Sequence, residues 1–148
     1  MVDISIIIIN YNSEDYTVNC IKSLVEHTST TLKCQYIIVD NGSTKKSYLH
    51  VKNYIDSIAK EHPITLVRSN INTGFGGGNM LGVQHAKGQY LAFVNNDTVL
   101  ESDCLVVLKK FMDMRPDVGV CGPQAFTDDK KILPTIDHFA SPVREIFG

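Results

Sequence analysis

Three stretches hold side chains that could do chemistry: Asp40-Asn41-Gly42, Thr73-Gly74-Phe75-Gly76-Gly77-Gly78-Asn79 and Asn95-Asn96-Asp97-Thr98. The Asp40 carboxylate could accept a hydrogen bond from the imide N–H of a uracil or thymine ring. The same tripeptide equally suits a turn in which the aspartate bonds its own backbone. Tyr11 could stack on such a base, or simply pack at a strand end. Glycines 74, 76, 77 and 78 would let the backbone come close to a phosphate or ribose, and a flexible connector would have the same composition. Asp97, with Asn95 and Asn96 beside it, could hold a hard divalent cation, manganese or magnesium, through oxygen, with a diphosphate completing the coordination. An Asx-rich turn before a helix is the plainer alternative.

Other chemistries fit less well. If Gly74 and Gly76 open a dinucleotide fingerprint, position 79 should be Gly or Ala and is Asn. The stretch also follows the third strand rather than the first, so a dinucleotide-dependent oxidoreductase is the weaker enzyme reading. Cys20, Cys34, Cys104 and Cys121 include no CxxC pair, and the histidines show no ligand spacing. Buried free thiols are therefore expected rather than zinc or disulfides.

The elements that must position these stretches follow from periodicity. Short β-rich runs at Ile4–Ile9, Tyr36–Asp40, Ile64–Val67, Tyr90–Val94 and Val118–Cys121 alternate with helical patterns. Runs such as Ile6–Ile9 are apolar on both sides, as in a largely parallel sheet covered by helices on both faces. The prediction is an α/β, Rossmann-like fold. A first helix, capped by Ser13, puts Tyr16, Cys20 and Leu24 on one face. A second starts near Ser43 and stops at His62-Pro63. A third runs from about Gly77 to Lys87, and a fourth from near Ser102 to Arg115. Beyond Gly122-Pro123 the pattern fades into a polar tail, where Ser141-Pro142 resembles the start of another helix.

In such a sheet ligands bind beyond the carboxyl ends of the strands. The loops at Tyr11, Asp40, Asn72–Asn79 and Asn95–Asp97 should therefore converge, with Asp40 and Asp97 facing a shared hollow. Their amides and glycines suit a polar, phosphorylated, sugar-like ligand.

Composition agrees with one folded domain: 148 residues, 43% hydrophobic and 20% charged. A formal charge of -2 gives no footprint for a nucleic-acid backbone. The first apolar run is too short for a bilayer, and Met1-Val2-Asp3 lacks the basic start of a secretory signal, so the chain reads as cytoplasmic.

With these residues in place, the chain resembles the N-terminal, nucleotide-binding part of family 2 glycosyltransferases. Ile4–Asn12 is similar to the family's first strand and Tyr-Asn loop, and Ile38–Ser43 to its base-reading segment. Asn70–Gly82 resembles its Asn-Gly-rich loop and helix, and Gly88–Asp97 the strand entering its metal motif. Asn95 stands where that motif usually has its first aspartate, as in the rhamnosyltransferase-like branch. The resemblance implies an A-type glycosyltransferase fold and an inverting transfer of sugar from a UDP- or dTDP-sugar to an acceptor hydroxyl, in surface polysaccharide synthesis. It implies that Tyr11 and Asp40 contact the nucleobase, that Gly74 and Asn79 lie in the donor loop, that Asn95 meets the ribose, and that Asp97 binds the cation.

Residues 1–123 would then form the nucleotide-sugar-binding domain, and 124–148 the start of an acceptor-side region. The family's general base comes from that later half, and the sequence reads as ending before it. Asp128, Asp129 and Asp137 match no base motif. A saccharide or lipid-linked saccharide acceptor would bring the full-length enzyme to the inner face of a membrane.

Overall fold

A computed structural model of the chain describes residues 1–127 and 129–134. Asp128, Asp137 and the helix start expected at Ser141-Pro142 lie outside the described residues. The chain divides into two compact units, Met1–Val106 and Val107–Gly148.

The first unit alternates strand and helix: β1 (Val2–Asn10), α1 (Glu14–His27), β2 (Cys34–Asn41), α2 (Lys45–Ile58), β3 (Ile64–Ser69), α3 (Gly74–Val83) and β4 (Gly88–Val94). The strands are all parallel, in the order β3-β2-β1-β4. The chain thus steps outward from β1 through β2 to β3, then returns across β1 to lay down β4. Crossovers of one hand place helices on opposite faces when the direction of travel reverses. Accordingly α1 and α2 cover one face and α3 the other.

This arrangement explains the unbroken apolar strands. Ile6, Ile8 and Ile38 pack with Cys20, Ile21, Leu24, Val51 and Ile55 beneath α1 and α2. Ile7, Ile37 and Val39 pack with Leu81 and Val83 of α3. Alternate residues therefore serve different helices, and burying each of these isoleucines contributes about 1.5–3 kcal/mol. A Cβ on Gly82 would lie 2.5 Å from Ile7 Cγ2, so α3 rides close to the sheet at that position.

Several expectations need correction. The buried stripe of α1 includes Thr17, Cys20, Ile21 and Leu24, while Tyr16 is exposed, because Thr17 is the residue that turns inward to bond Asn10. The second helix is capped by Thr44, whose hydroxyl accepts from Ser47 N–H, and Ser43 turns inward instead. Helix α3 starts at Gly74 and ends at Val83, so the glycine stretch is not a flexible connector. Val118–Cys121 forms no strand. It has Gly119 at its centre and an exposed Val120, and no strand among the described residues pairs with it. Of the cysteines, all unpaired, Cys20 is buried, whereas Cys34, Cys104 and Cys121 are half-buried.

Helix α4 (Cys104–Met114) begins in the first unit, where Leu105 joins the core under α1. The second unit also contains an antiparallel pair, β5 (Ala125–Phe126) and β6 (Ile132–Leu133), within the stretch read as a polar tail. Among the described residues no helix is long and apolar enough to cross a membrane.

Candidate active site

The point where the chain's direction of travel reverses, between β1 and β4, is where an open parallel sheet leaves a crevice. A cavity of about 400 Å³ opens there. The end of β1 and its loop contribute Ile9, Tyr11 and Ser13, and the end of β2 contributes Asn41. Asn72, Gly74 and Phe75 come from the start of α3, and Val94 through Asp97 from the end of β4.

Polar contacts fix each loop. Asn12, at φ 50°, accepts Thr44 N–H on Oδ1 at 2.9 Å and donates its own N–H to Ser43 Oγ at 3.1 Å, tying the Tyr11 loop to the β2 loop. Gly42 has φ +80°, and a Cβ there would sit 2.5 Å from the backbone of Ile71 and Asn72. Only glycine satisfies both the dihedral and the approach. Thr98 N–H closes the Asn95 turn on the Asn95 carbonyl at 3.1 Å, so the plain turn reading of this segment is correct as local structure. Asn96 Nδ2 donates to Ser13 Oγ and Thr17 Oγ1 at 2.6 and 2.9 Å, anchoring the turn to α1. Behind it, the Cys20 thiol donates to the Asn95 carbonyl at 3.6 Å. Burial, and secondarily the charge of Asp97, push that thiol up to about 12.

Of the residues singled out by sequence, Tyr11, Gly74, Asn95 and Asp97 line the cavity. Tyr11 is half exposed, which leaves its ring free to stack. Asp40 and Asn79 do not line it. Asp40 is fully buried: Oδ1 accepts from Asn10 Nδ2 at 3.0 Å, and Oδ2 lies 3.4 Å from Arg68 Nε, an ion-pair contact without a hydrogen bond. The Arg68 guanidinium lies 4.0 Å from the centre of the Tyr48 ring. The expected pairing of Asp40 with Asp97 across one hollow is therefore not what the fold builds. Asn41, the next residue, reaches the wall instead.

Sequence reasoning placed Asn41, Asn72 and Phe75 in the converging loops but gave none of them a role of its own in the wall. A usable signal existed for Asn41, which is in phase with Ile37 and Val39 along β2, whereas Asp40 is in phase with Ile38.

The wall chemistry is unbalanced. Among the described residues it carries several amides, two aromatic rings, the Asp97 carboxylate and no lysine or arginine. A diphosphate entering alone would meet Asp97 as a like charge. A hard dication between them fits an oxygen-only donor set of Asp97 and amide carbonyls, with phosphate oxygens filling the remaining positions. Among the described residues no group of three or more His, Cys, Asp or Glu could hold a metal without such help.

The family model for glycosyl transferase family 2 matches residues 5–144. The chain belongs to this family. An uncharacterized glycosyltransferase of Haemophilus influenzae is 31% identical over 125 residues, 84% of this chain and 48% of that protein. The poly(ribitol-phosphate) beta-N-acetylglucosaminyltransferase TarS of Staphylococcus aureus is 25% identical over 116 residues, covering 76% of this chain and 19% of TarS. The structure of S. aureus TarS 1-349 in complex with UDP-GlcNAc superposes with a TM-score of 0.66 at 21% identity, over 77% of this chain and 32% of that one. Mannosyltransferase PcManGT from Pyrobaculum calidifontis, in complex with GDP-Man and Mn2+, gives a TM-score of 0.64 at 18% identity, over 72% and 31%. The fold is the A-type glycosyltransferase fold, and the chain spans less than half the length of these relatives and neighbours.

Proposed function

We propose that this chain binds the nucleotide-sugar donor of an inverting glycosyltransferase of surface polysaccharide synthesis, with UDP or dTDP as the carrier. The observation that carries this reading is the switch-point cavity itself, which brings an aromatic ring, a ring of amides and one carboxylate together from four separate loops of a family 2 chain. Tyr11 stacks on the base, Asn95 meets the ribose, and the backbone at Gly74 stands close to the donor. Asp97, with the amide oxygens beside it, holds manganese or magnesium. Asp40 holds the end of β1 from behind through Asn10, and Asn79 belongs to the donor-loop segment on α3. Residues 1–123 carry donor binding, and 124–148 open the acceptor-side region. Relatives with UDP-GlcNAc or with GDP-Man and Mn2+ bound to the same fold support the ligand class.

The reaction is attack by an acceptor hydroxyl, on a saccharide or lipid-linked saccharide, at the anomeric carbon. The bond from that carbon to the diphosphate oxygen breaks with its electron pair, and the hydroxyl proton passes to a general base. The cation, when bound, supplies Lewis-acid stabilisation of the departing nucleoside diphosphate. Tyr11 and the amide wall orient the donor, so that its sugar faces the open side of the cavity. Asp129, the described carboxylate of the tail, is exposed and paired with Lys131 at 2.6 Å, a solvated surface pair.

Thermal melting with UDP, dTDP, GDP or NAD, each with and without manganese, tests this reading. UDP or dTDP with manganese should raise the midpoint, since a ligand at a hundred times its Kd adds about 2.7 kcal/mol. NAD should leave it unchanged. An equal rise with NAD, or no rise with any nucleoside diphosphate, would overturn the proposal.

A further inference from the structure

The amide of Asn41 is committed to the protein on every side. Nδ2 donates to Asn72 Oδ1 and to the Gly74 carbonyl, both at 3.0 Å. Oδ1 accepts from Thr73 N–H at 3.1 Å and from Thr73 Oγ1 at 2.9 Å. Two donors and two lone pairs are all that a carboxamide has. The backbone partners also settle which end is which, because a carbonyl can only accept and an N–H can only donate. The residue is 2% exposed although it lines the cavity.

Its partners are the three residues that launch α3. Asn72 Oδ1 also takes Gly74 N–H at 2.8 Å, closing a small cycle through Asn41. This matters because four glycines in the first turns of a helix oppose its formation relative to alanine. Packing assists the cycle: a Cβ on Gly78 would stand 3.2 Å from Asn41 Nδ2, so the helix lies directly against this amide.

We propose that Asn41 is a positioning residue that sets the Asn72–Phe75 segment of the donor wall, rather than a ligand contact, and that an amide rather than a carboxylate is required there. An aspartate would have the same size, yet it would turn a lone pair toward Asn72 Oδ1 and the Gly74 carbonyl, where donors now point. Two bonds would become two repulsions. This inference rests on the nucleotide reading above, because it concerns the wall that the nucleotide would touch.

The test is calorimetric titration of the chain with UDP in the presence of manganese. Asn41→Asp should weaken binding by about tenfold at pH 8, the loss expected when two part-buried hydrogen bonds from a buried amide become repulsions. Acidification should narrow the gap between variant and wild type, since the introduced carboxyl regains a donor when protonated. The groups facing the amide, Asn72, Thr73 and Gly74, do not titrate. Tyr11 and Asp97, the ionisable groups of the cavity wall among the described residues, are common to both proteins and cancel in the ratio, as does the nucleotide. A lesion that does not come from the ionised carboxylate would not recover in this way.

Thr73→Val removes one bond to Asn41 from an exposed residue that does not line the cavity. It should weaken UDP by about threefold, and by less in the Asn41→Asp background, because the two residues form one unit. If Asn41→Asp does not fold, the Thr73→Val result decides alone. Wild-type binding with no loss in Thr73→Val, or with a pH-independent loss in Asn41→Asp, would overturn this inference and leave the nucleotide reading standing. Failure of the wild type to bind UDP, dTDP or GDP would sink both.

Discussion

Asp40 and Asp97 stand at the carboxyl ends of β2 and β4, the two strands that flank β1, and the fold uses them in opposite ways. Asp40 is sealed beneath α1 and α2, with Asn10 on one oxygen and Arg68 near the other. Asp97 lies in an exposed turn on the cavity wall. The difference comes from strand phase. β1 and β2 pair in parallel register, Ile8 with Ile38 and Asn10 with Asp40, so Asp40 continues the row of residues that face α1 and α2. Beyond Val94 the chain has left the sheet, and no such row constrains Asp97. A carboxylate at a strand end is thus a candidate ligand only when its phase, or its release from the strand, turns it to the open side. A buried one is a structural group whose charge has to be matched inside.

The largest expected effect breaks that contrast at its buried end. Asp40→Ala should lower stability by about 2–3 kcal/mol, toward the low side for disrupting a buried pair, because Arg68 is partly exposed and can turn to water. Asn10 Nδ2 keeps the Ser43 and Ser47 hydroxyls at 3.1 and 3.3 Å. Urea unfolding with an unchanged m-value would measure the loss. Full stability with abolished UDP binding would show instead that Asp40 belongs to the wall.

The opposite behaviour is expected of Asp97. Asp97→Ala should leave stability within about 0.5 kcal/mol, as for an exposed turn residue. It should cost UDP roughly tenfold, about 1.4 kcal/mol, in manganese, and nothing in its absence. Titration calorimetry with and without the metal separates the two. A stability loss as large as that of Asp40→Ala would erase the contrast.

The alternation of elements, the parallel sheet and the convergence of the four loops were legible because periodicity and turn residues are local signals. The identity of the wall residue on β2 was not. Strand phase puts Asp40 in the row of Ile38 and Asn41 in the row of Ile37 and Val39, but both rows are apolar, so which of them faces α1 and α2 and which the cavity follows only from how β2 sits beside β1. The start of α3 was misplaced for a related reason. Glycines 74 and 76, ahead of the expected start near Gly77, argue against helix by propensity, and the bonds that overrule them come from Asn41, more than thirty residues earlier in the chain. The fifth strand failed because an apolar run needs a partner edge as well as a pattern. Gly82 carried no visible ligand role, and its reason is contact with Ile7, which no local window contains.

The finest test of the contrast uses Cys20, which lies between the core and the Asp97 turn. Its thiol is pushed up to about 12 from an ordinary value near 9, first by burial and second by the charge of Asp97. The unfolded chain therefore releases this proton from about pH 9 while the folded chain keeps it, so stability present below pH 9 is lost as pH rises toward 12. By pH 10 this one group should cost about 1.4 kcal/mol relative to pH 7.5, a share of the pH dependence that Cys20→Ala would remove. Cys34, raised to about 11 chiefly by burial, would still contribute in that variant. Asp97→Asn should alter the same pH dependence by only a few tenths of a kcal/mol, because water around an exposed carboxylate screens its pull on the thiol. Urea melts at the two pH values on wild type and both variants would resolve this. A flattening by Asp97→Asn as large as that by Cys20→Ala would mean that Asp97 acts through a dry medium, which its open turn does not provide.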